Sequence, residues 1–381
     1  MKNWKILFLC AALLGVTAVS CSDSDEPTVP VQSEDENNGN GGNNGGNDDN
    51  DRPTLSDVTV EAFYGGDYNE AGTGNLWLNI SQGDFSIEYD DFDEITGYTG
   101  TGLVVTIDLN QALAANPDQV SLAAGTYSVD LTESFAEGTV NGTESYVMRV
   151  EDGQVSQQAF VSGSVTITDL GEKIYTVACD LTTSEGEAFT ESYTILCRPF
   201  NRSGEGIMSN LDKDVEVDDL TQALFLYEGD LYETGESDLY IVILGADDFD
   251  LNTNYGLGNS LMLYFNVEPG SSTGIPSGTY DQFVDIETAE SLPVGSCLTG
   301  LYYYGTYLGC WYMNTGNQYE ACLCEGAIEV ENNGGSYTIR GELKTGDDRT
   351  VAFTYAGTPT FVDDASSSFS VKKHSVRPLK R

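Results

Sequence analysis

The chain has 381 residues, and its 61 Asp and Glu against 16 Lys and Arg give a formal net charge of -45. A surface this acidic repels phosphate backbones and anionic membranes, so nucleic acid is excluded as a partner. The single histidine excludes a metal site that needs two imidazoles. With 40% hydrophobic residues, the bulk of the chain can form cores. The length suggests about two domains.

Residues 1–20 are predicted to be a signal peptide, because Lys2 and Lys5 precede a short apolar run. Cys21 follows Ala18-Val19-Ser20, and a small residue before a cysteine at this point resembles the lipobox of bacterial lipoproteins. The resemblance implies that the Cys21 thiol carries a diacylglycerol. Leu is usual in that family where Ala18 stands here. The alternative is ordinary cleavage after Ser20, which leaves Cys21 as a free thiol.

Residues 21–53 read as a disordered acidic tether, because they are rich in Asn, Gly, Asp and Glu and hold almost nothing apolar. The acidic run at residues 22–26 resembles the surface-export signal of Bacteroidota lipoproteins. That resemblance implies an outer-membrane protein, anchored by lipid and facing the cell exterior.

The rest of the chain is predicted to be one unit repeated. Residues 64–80 align without a gap to 227–243, and 103–109 align to 261–267. Gly125-Thr-Tyr127 matches Gly278-Thr-Tyr280, and residues 163–193 run parallel to 326–355. The order is kept throughout, which indicates a tandem duplication. The predicted order is β-domain 1 at 54–200, a linker at 201–218, β-domain 2 at 219–363 and a basic disordered tail at 364–381.

Each copy shows apolar residues alternating with polar ones, separated by Gly-containing turns, which is typical of half-buried strands. The predicted class is all-β, with two tandem homologous antiparallel β-sandwich domains. A lipocalin-like barrel is the alternative. As a whole, the chain resembles Bacteroidota surface lipoproteins with acidic leaders, Asn/Gly tethers and tandem β-domains. No functional residue other than Cys21 carries over from that group.

Six cysteines lie in the two copies. If residues 315–317 form a three-residue hairpin loop, Cys310 faces Cys322, and Cys297 is left to pair with Cys324. Disulfides are favoured over zinc because the chain has no CxxC pair. Cys179 and Cys197 are either bridged through an irregular pairing or buried free thiols.

Aromatic residues are concentrated in residues 301–313. A hairpin there would turn Tyr303 and Tyr312 toward solvent, where flat rings can stack on sugars. They are therefore the predicted ligand-binding residues. The alternative is that these rings pack in the core and stabilise the sheet.

The run from Asp247 to Asp250 offers oxygens at alternate positions, as a calcium loop does, and Asp90 to Asp93 is its counterpart. Asp67 and Asp230 recur in both copies and suit either a turn or a ligand. No cofactor is expected, with calcium left open.

No nucleophile elbow or phosphate-binding loop occurs, and the single histidine, His374, lies in the basic tail. The predicted function is therefore a non-catalytic binding role at the cell surface, with an extracellular glycan as the first ligand class. The alternative is an adhesive or structural protein that binds another surface protein. A weaker alternative is a hydrolase that uses two carboxylates.

Overall fold

The computed structural model describes residues 53–89, 95–251, 256–303, 306–363 and 365. The predicted signal peptide, Cys21, nearly all of the tether, and His374 lie outside the described residues. Within them, the regular structure is almost entirely β, so the all-β prediction is confirmed. A three-residue 3-10 helix, Pro117–Gln119, interrupts the strands. In the described ranges, no helix has the length and apolar character that crossing a membrane requires.

The first half contains the strands β1 Thr59–Gly66, β2 Thr73–Tyr89, β3 Ile95–Ala112, β4 Gly125–Asp130, β5 Thr139–Asn141, β6 Tyr146–Glu151, β7 Gln154–Gly171, β8 Ile174–Thr183, β9 Ala188–Leu196 and β10 Phe200–Asn201. They form one continuous sheet, because the long strand β7 pairs with β6 through its first part and with β8 through the rest. The sheet folds over a core that includes Leu78, Ile107, Val165 and Val177.

The second half contains β11 Val215–Val217, β12 Gln222–Gly229, β13 Asp238–Gly245, β14 Asn259–Val267, β15 Gly278–Tyr280, β16 Gln282–Val284, β17 Ser296–Leu298, β18 Leu301–Tyr303, β19 Thr306–Leu308, β20 Trp311–Asn314, β21 Tyr319–Cys322, β22 Glu325–Asn332, β23 Tyr337–Lys344, β24 Thr350–Gly357 and β25 Thr360–Asp363. The sheet β11-β24-β23-β22-β15 packs against the sheet built on β12, β13 and β14, as in a sandwich. Leu211 and Val217, expected in a linker, join this second core.

The two halves repeat several positions closely. A Cβ on Gly163 would lie 2.1 Å from the carbonyl oxygen of Asp180, and a Cβ on Gly326 would lie 2.2 Å from that of Glu342. Both glycines have positive φ, 106° and 121°, which favours glycine over any other residue. Each allows the backbone of its strand to approach the next strand closely.

A buried tyrosine also recurs in one register. Tyr127 pairs with Val165, and Tyr280 pairs with Ile328, at matching places in the two halves. Each hydroxyl donates to the carbonyl four residues earlier, at 2.8 Å for Tyr127 and 3.1 Å for Tyr280.

The gapless alignment of residues 64–80 with 227–243 is wrong by one position after the turn. Tyr64 pairs with Leu76 in the first half, whereas Tyr227 pairs with Tyr240 in the second. Leu76 therefore corresponds to Tyr240 and not to Leu239, because the second turn is one residue longer. Leu109 then corresponds to Phe265, since these residues pair with Leu76 and Tyr240. The alignment of 103–109 with 261–267, which sets Leu109 against Val267, is therefore wrong by two positions.

A buried ion pair joins the halves. The two terminal nitrogens of Arg202 donate to the two carboxylate oxygens of Glu320, each at 2.7 Å. Both side chains are less than a tenth exposed. The guanidinium also lies 4.1 Å from the ring centroid of Tyr302 and 5.6 Å from that of Phe63. Two parallel hydrogen bonds between a buried guanidinium and a carboxylate fix the orientation of the two side chains relative to each other.

A second contact supports this junction. The carboxylate of Asp118 accepts the backbone N–H groups of Ile207 and Met208 at 2.8 and 2.9 Å and the amide of Asn201 at 2.7 Å. Asp118 is 5% exposed. The segment between the halves is therefore fixed to the first half by hydrogen bonds to a buried carboxylate.

Candidate functional site

The predicted binding residue Tyr312 does not meet solvent. Its side chain is 1% exposed and belongs to the second core, and its hydroxyl donates to Asn259 at 2.8 Å. The prediction reversed the two faces of this segment, because the ring of Trp311 points away from that core and contacts Tyr307. Tyr303 is partly exposed at the end of β18 and pairs with Thr306.

The predicted disulfides do not form in this structure, where all six described cysteines are free. Trp311 pairs with Cys322, since the loop after Asn314 has four residues and not three. The backbone of Cys310 therefore meets Leu323. The thiol of Cys324 donates to the carbonyl of Lys344 at 3.6 Å and does not reach Cys297.

Cys179 and Cys197 are also unbridged. Cys179 pairs with Glu191, whereas Cys197 follows Leu196, which pairs with Ile174 five positions along β8. Five positions span about 17 Å, beyond the reach of a disulfide. Burial raises the pKa of each thiol to about 12.

The recurring aspartates Asp67 and Asp230 serve as turn acceptors. Asp67 accepts the backbone N–H of Gly72 at 2.9 Å, and Asp230 accepts that of Gly235 at 2.8 Å. Asp247 likewise accepts the hydroxyl of Thr221 at 2.5 Å. Asp90 to Asp93 lie outside the described residues. Among those described, no group of three His, Cys, Asp or Glu side chains is placed to hold a metal.

A face of the first sheet, directed away from the core, brings aromatic and polar side chains together. Directly paired residues of neighbouring strands share a face, so one row across β1, β2 and β3 consists of Phe63, Trp77 and Asp108. The adjacent row consists of Glu61, Asn79 and Thr106. We call these six residues the β1–β3 face. All but Asp108 are partly exposed.

A buried carboxylate beside Trp77 fixes the orientation of its ring. The indole N–H donates to the carboxylate of Asp108, which also accepts the amides of Asn75 and Asn141. Asp108 is 2% exposed. Burial raises the pKa of Asp108 to about 6, although the three donors lower it in part. A ring fixed by such a buried partner is pre-organised.

Tyr68 extends the aromatic row to the solvent. Its ring lies edge-on to that of Trp77, with the centroids 6.1 Å apart, and the residue is 47% exposed. Tyr68 sits in the turn between β1 and β2, which the Asp67 carboxylate closes. Edge-to-face contacts at this distance are favourable for aromatic pairs.

The polar row offers groups that can bind hydroxyls. Thr106 donates to the side-chain oxygen of Asn79 at 2.9 Å, which orients the amide. Beside it, desolvation raises the pKa of Glu61 to about 7, since burial disfavours the charged carboxylate. A carboxyl that titrates near neutrality can both donate and accept hydrogen bonds.

The corresponding face of the second half is apolar. By the corrected alignment, Trp77, Asp108 and Thr106 correspond to Ile241, Tyr264 and Met262. These side chains pack with Leu239 and with Leu292 and Leu298 from the segment that follows β16. Tyr264 is buried there, whereas Ile241 and Met262 stay partly exposed. The two halves thus differ in the chemistry of one sheet face, which is apolar in the second half and combines an aromatic ring with polar groups in the first.

A second candidate binding surface lies on the sheet β11-β24-β23-β22. An open groove of about 420 Å³ there is lined by residues that include Glu216, Asp218, Glu329, Glu342 and Arg340. Four carboxylates face one guanidinium, so the groove attracts cationic groups.

The sequence did not single out the β1–β3 face. Its signal was present in the repeat, because Trp77, Asp108 and Thr106 stand where the second copy has large apolar residues. The one-residue alignment error concealed that difference, since it set Trp77 against Tyr240.

Scanning the chain against protein-family models gives no match, and neither the curated proteins nor the solved structures provide one. The geometry of the site is therefore the basis for any statement of function.

Proposed function

We propose that the chain is a non-catalytic binding protein of the cell surface that takes an extracellular glycan on the β1–β3 face. The observation that carries the proposal is the contrast between the repeats. The first half has Trp77 and polar partners where the second half has an apolar cluster. A face that places polar groups around an aromatic ring in one copy only suits a ligand better than it suits packing.

The chemistry of the face fits a sugar. Sugar rings carry apolar C–H faces that stack on aromatic rings, and hydroxyls that need fixed donors and acceptors. Trp77 and Tyr68 offer the first, while Asn79 and Glu61 offer the second. Sites built on rigid strands, with side chains locked by buried partners, bind with little ordering cost.

A binding role also fits the chemistry of Asp108. Its two oxygens accept from amide and indole donors, so it positions Trp77. The proposed anchor at Cys21 and the acidic tether would hold this face away from the membrane, where polysaccharides are met.

The test is affinity electrophoresis of the purified chain through gels that contain single polysaccharides. We expect at least one polysaccharide to retard the chain, and Trp77→Ala to abolish the retardation. Phe361→Ala is the matched control, because Phe361 is an exposed ring, 41% accessible, on β25 of the other half. Equal retardation of Trp77→Ala and the unaltered chain would contradict the proposal.

The second candidate function is adhesion to a protein partner through the acidic groove of the second half. The excess of carboxylates over Arg340 specifically favours a cationic segment there. Binding of polylysine that weakens steeply with salt, and that Glu329→Gln with Glu342→Gln reduces, supports this candidate. Binding that these substitutions leave unchanged counts against it.

A further inference from the structure

The structure brings two of the four cysteines of the second half together. Cys297 pairs with Phe265 on β14, whereas Trp311 pairs with Met262 on the same edge of that strand. Cys310, one residue before Trp311, comes level with Leu263. Phe265 and Leu263 both face the second core, so the two cysteines point into it from neighbouring positions.

Backbone and side-chain contacts agree with this placement. The N–H of Cys310 donates to the carbonyl of Leu298, the residue after Cys297, at 3.0 Å. Both cysteines are fully buried, and their thiols lie within hydrogen-bonding reach of each other. Burial and this mutual contact raise the pKa of Cys297 well above its ordinary value.

The other two thiols of this half have separate partners. The thiol of Cys322 donates to the carbonyl of Gly300 at 2.9 Å, and that of Cys324 to the carbonyl of Lys344. Cys322 pairs with Trp311 and so lies on the sheet face opposite to Cys310. The four thiols therefore divide into one contacting pair and two that donate to the backbone.

We propose that Cys297 and Cys310 are a disulfide site, closed when the chain folds in an oxidising compartment. The oxidant is a disulfide, either of a thiol oxidoreductase or of a small thiol such as glutathione. The thiolate of one cysteine attacks that disulfide and releases one reduced thiol. The thiolate of the other cysteine then attacks the mixed disulfide and releases the second. The chain loses two hydrogen atoms, and the oxidant becomes two thiols.

The bond forms during folding and not afterwards, because both sulfurs are enclosed in the native core and an oxidant cannot reach them. The closed disulfide links β17 to Cys310, the residue directly before β20. Tyr302 and Tyr307 lie in the part of the chain between the two cysteines. A closed loop of this kind restricts the unfolded chain and is expected to raise the denaturant midpoint.

The test refolds the fully reduced chain in a buffer of reduced and oxidised glutathione, blocks remaining thiols, and maps peptides without reduction. We expect one linked peptide pair, Cys297 with Cys310, and a fall of two in the thiols that titrate after denaturation. The double variant Cys322→Ala with Cys324→Ala is the control and keeps the linked pair. A chain refolded with these cysteines all alkylated, or linked as Cys310 with Cys322, would overturn the proposal.

The peptide map is made on the unaltered chain, so a variant that fails to fold cannot obscure its result. A second measurement uses the same material, comparing urea midpoints of the oxidised chain before and after reduction. A higher midpoint before reduction is expected, and an unchanged midpoint would contradict a bond within the second core.

Discussion

Trp77 lies directly opposite Asp108 across β2 and β3, and its indole N–H donates to that buried carboxylate. The contact fixes the tryptophan ring on the outer side of a sheet whose other side is core. Because the corresponding residues of the second half, Ile241 and Tyr264, belong to an apolar cluster, this pair marks where the two halves differ.

Removing the carboxylate is expected to weaken glycan binding without removing the ring. In Asp108→Ala, the indole loses its acceptor and the ring can adopt other orientations, so affinity should fall by roughly tenfold, the equivalent of about 1.4 kcal/mol. Isothermal titration calorimetry with a polysaccharide that binds the unaltered chain measures this. The control is Asp180→Ala, an exposed carboxylate on β8, for which unchanged affinity is expected.

The Arg202–Glu320 pair is expected to be a major determinant of stability. Arg202→Ala leaves the carboxylate of Glu320 buried without its cation, which costs about 3–5 kcal/mol. The control is Arg340→Ala, whose partner Glu331 lies 3.1 Å away in a pair that is about half exposed. Exposed pairs contribute about 1 kcal/mol or less. Urea denaturation compares them, and similar losses in both variants would argue against this role for the junction.

The raised pKa of Asp108 predicts that the free energy of unfolding depends on pH. This pKa is about 6 in the folded chain, above the ordinary value of 3.8. At low pH the carboxyl is protonated in both states, whereas above pH 6 the folded state bears the cost of a buried charge. The free energy of unfolding should therefore fall as pH rises from about 4 to 7, by up to about 3 kcal/mol from this residue.

The comparison with Asp108→Asn isolates that contribution from the other acids. Denaturation at pH 4.5 and 7.5 should show the unaltered chain gaining stability at the lower pH relative to the variant. A difference that does not change between the two pH values would show that Asp108 is not the group responsible.

Gly163 and Gly326 are expected to respond alike to substitution. Alanine at either position brings a Cβ against a carbonyl of the next strand and holds an unfavourable positive φ. Each change should cost about 2–4 kcal/mol. Gly186→Ala is the control, since its φ is also positive, at 84°, but open space surrounds it. Thermal unfolding that separates Gly163→Ala from Gly326→Ala by more than the control effect would contradict their equivalence.

The sequence was sufficient to predict many of the strands. Alternation along residues 163–193 and 326–355 predicted strands that occur as β7 to β9 and β22 to β24. Gly163 and Gly326 occupy matching positions there. Such signals are local, since they depend on period-2 patterning and on glycine at positive φ.

The pairing register between strands could not be predicted from these local signals. One extra residue in a turn exchanges the two faces of the strand that follows it. A four-residue loop after Asn314, in place of the expected three, moved Cys310 away from Cys322. The prediction also took the face that carries Trp311 as the core side, whereas Tyr312, on the opposite face, packs in the second core. One extra residue after Tyr227 similarly concealed the contrast between Trp77 and Ile241. The site depends on these long-range pairings and not on any motif.

The measurement that tests the central claim most directly is tryptophan fluorescence during titration with a polysaccharide that retards the chain. The chain has three tryptophans, of which Trp4 lies in the predicted signal peptide and Trp311 is fully buried. Trp77 is therefore the expected reporter. We predict a saturable change in emission that Trp77→Phe abolishes and Phe361→Ala preserves. Tight binding by calorimetry with no change in emission, and with full affinity in Trp77→Phe, would contradict a glycan site on the β1–β3 face.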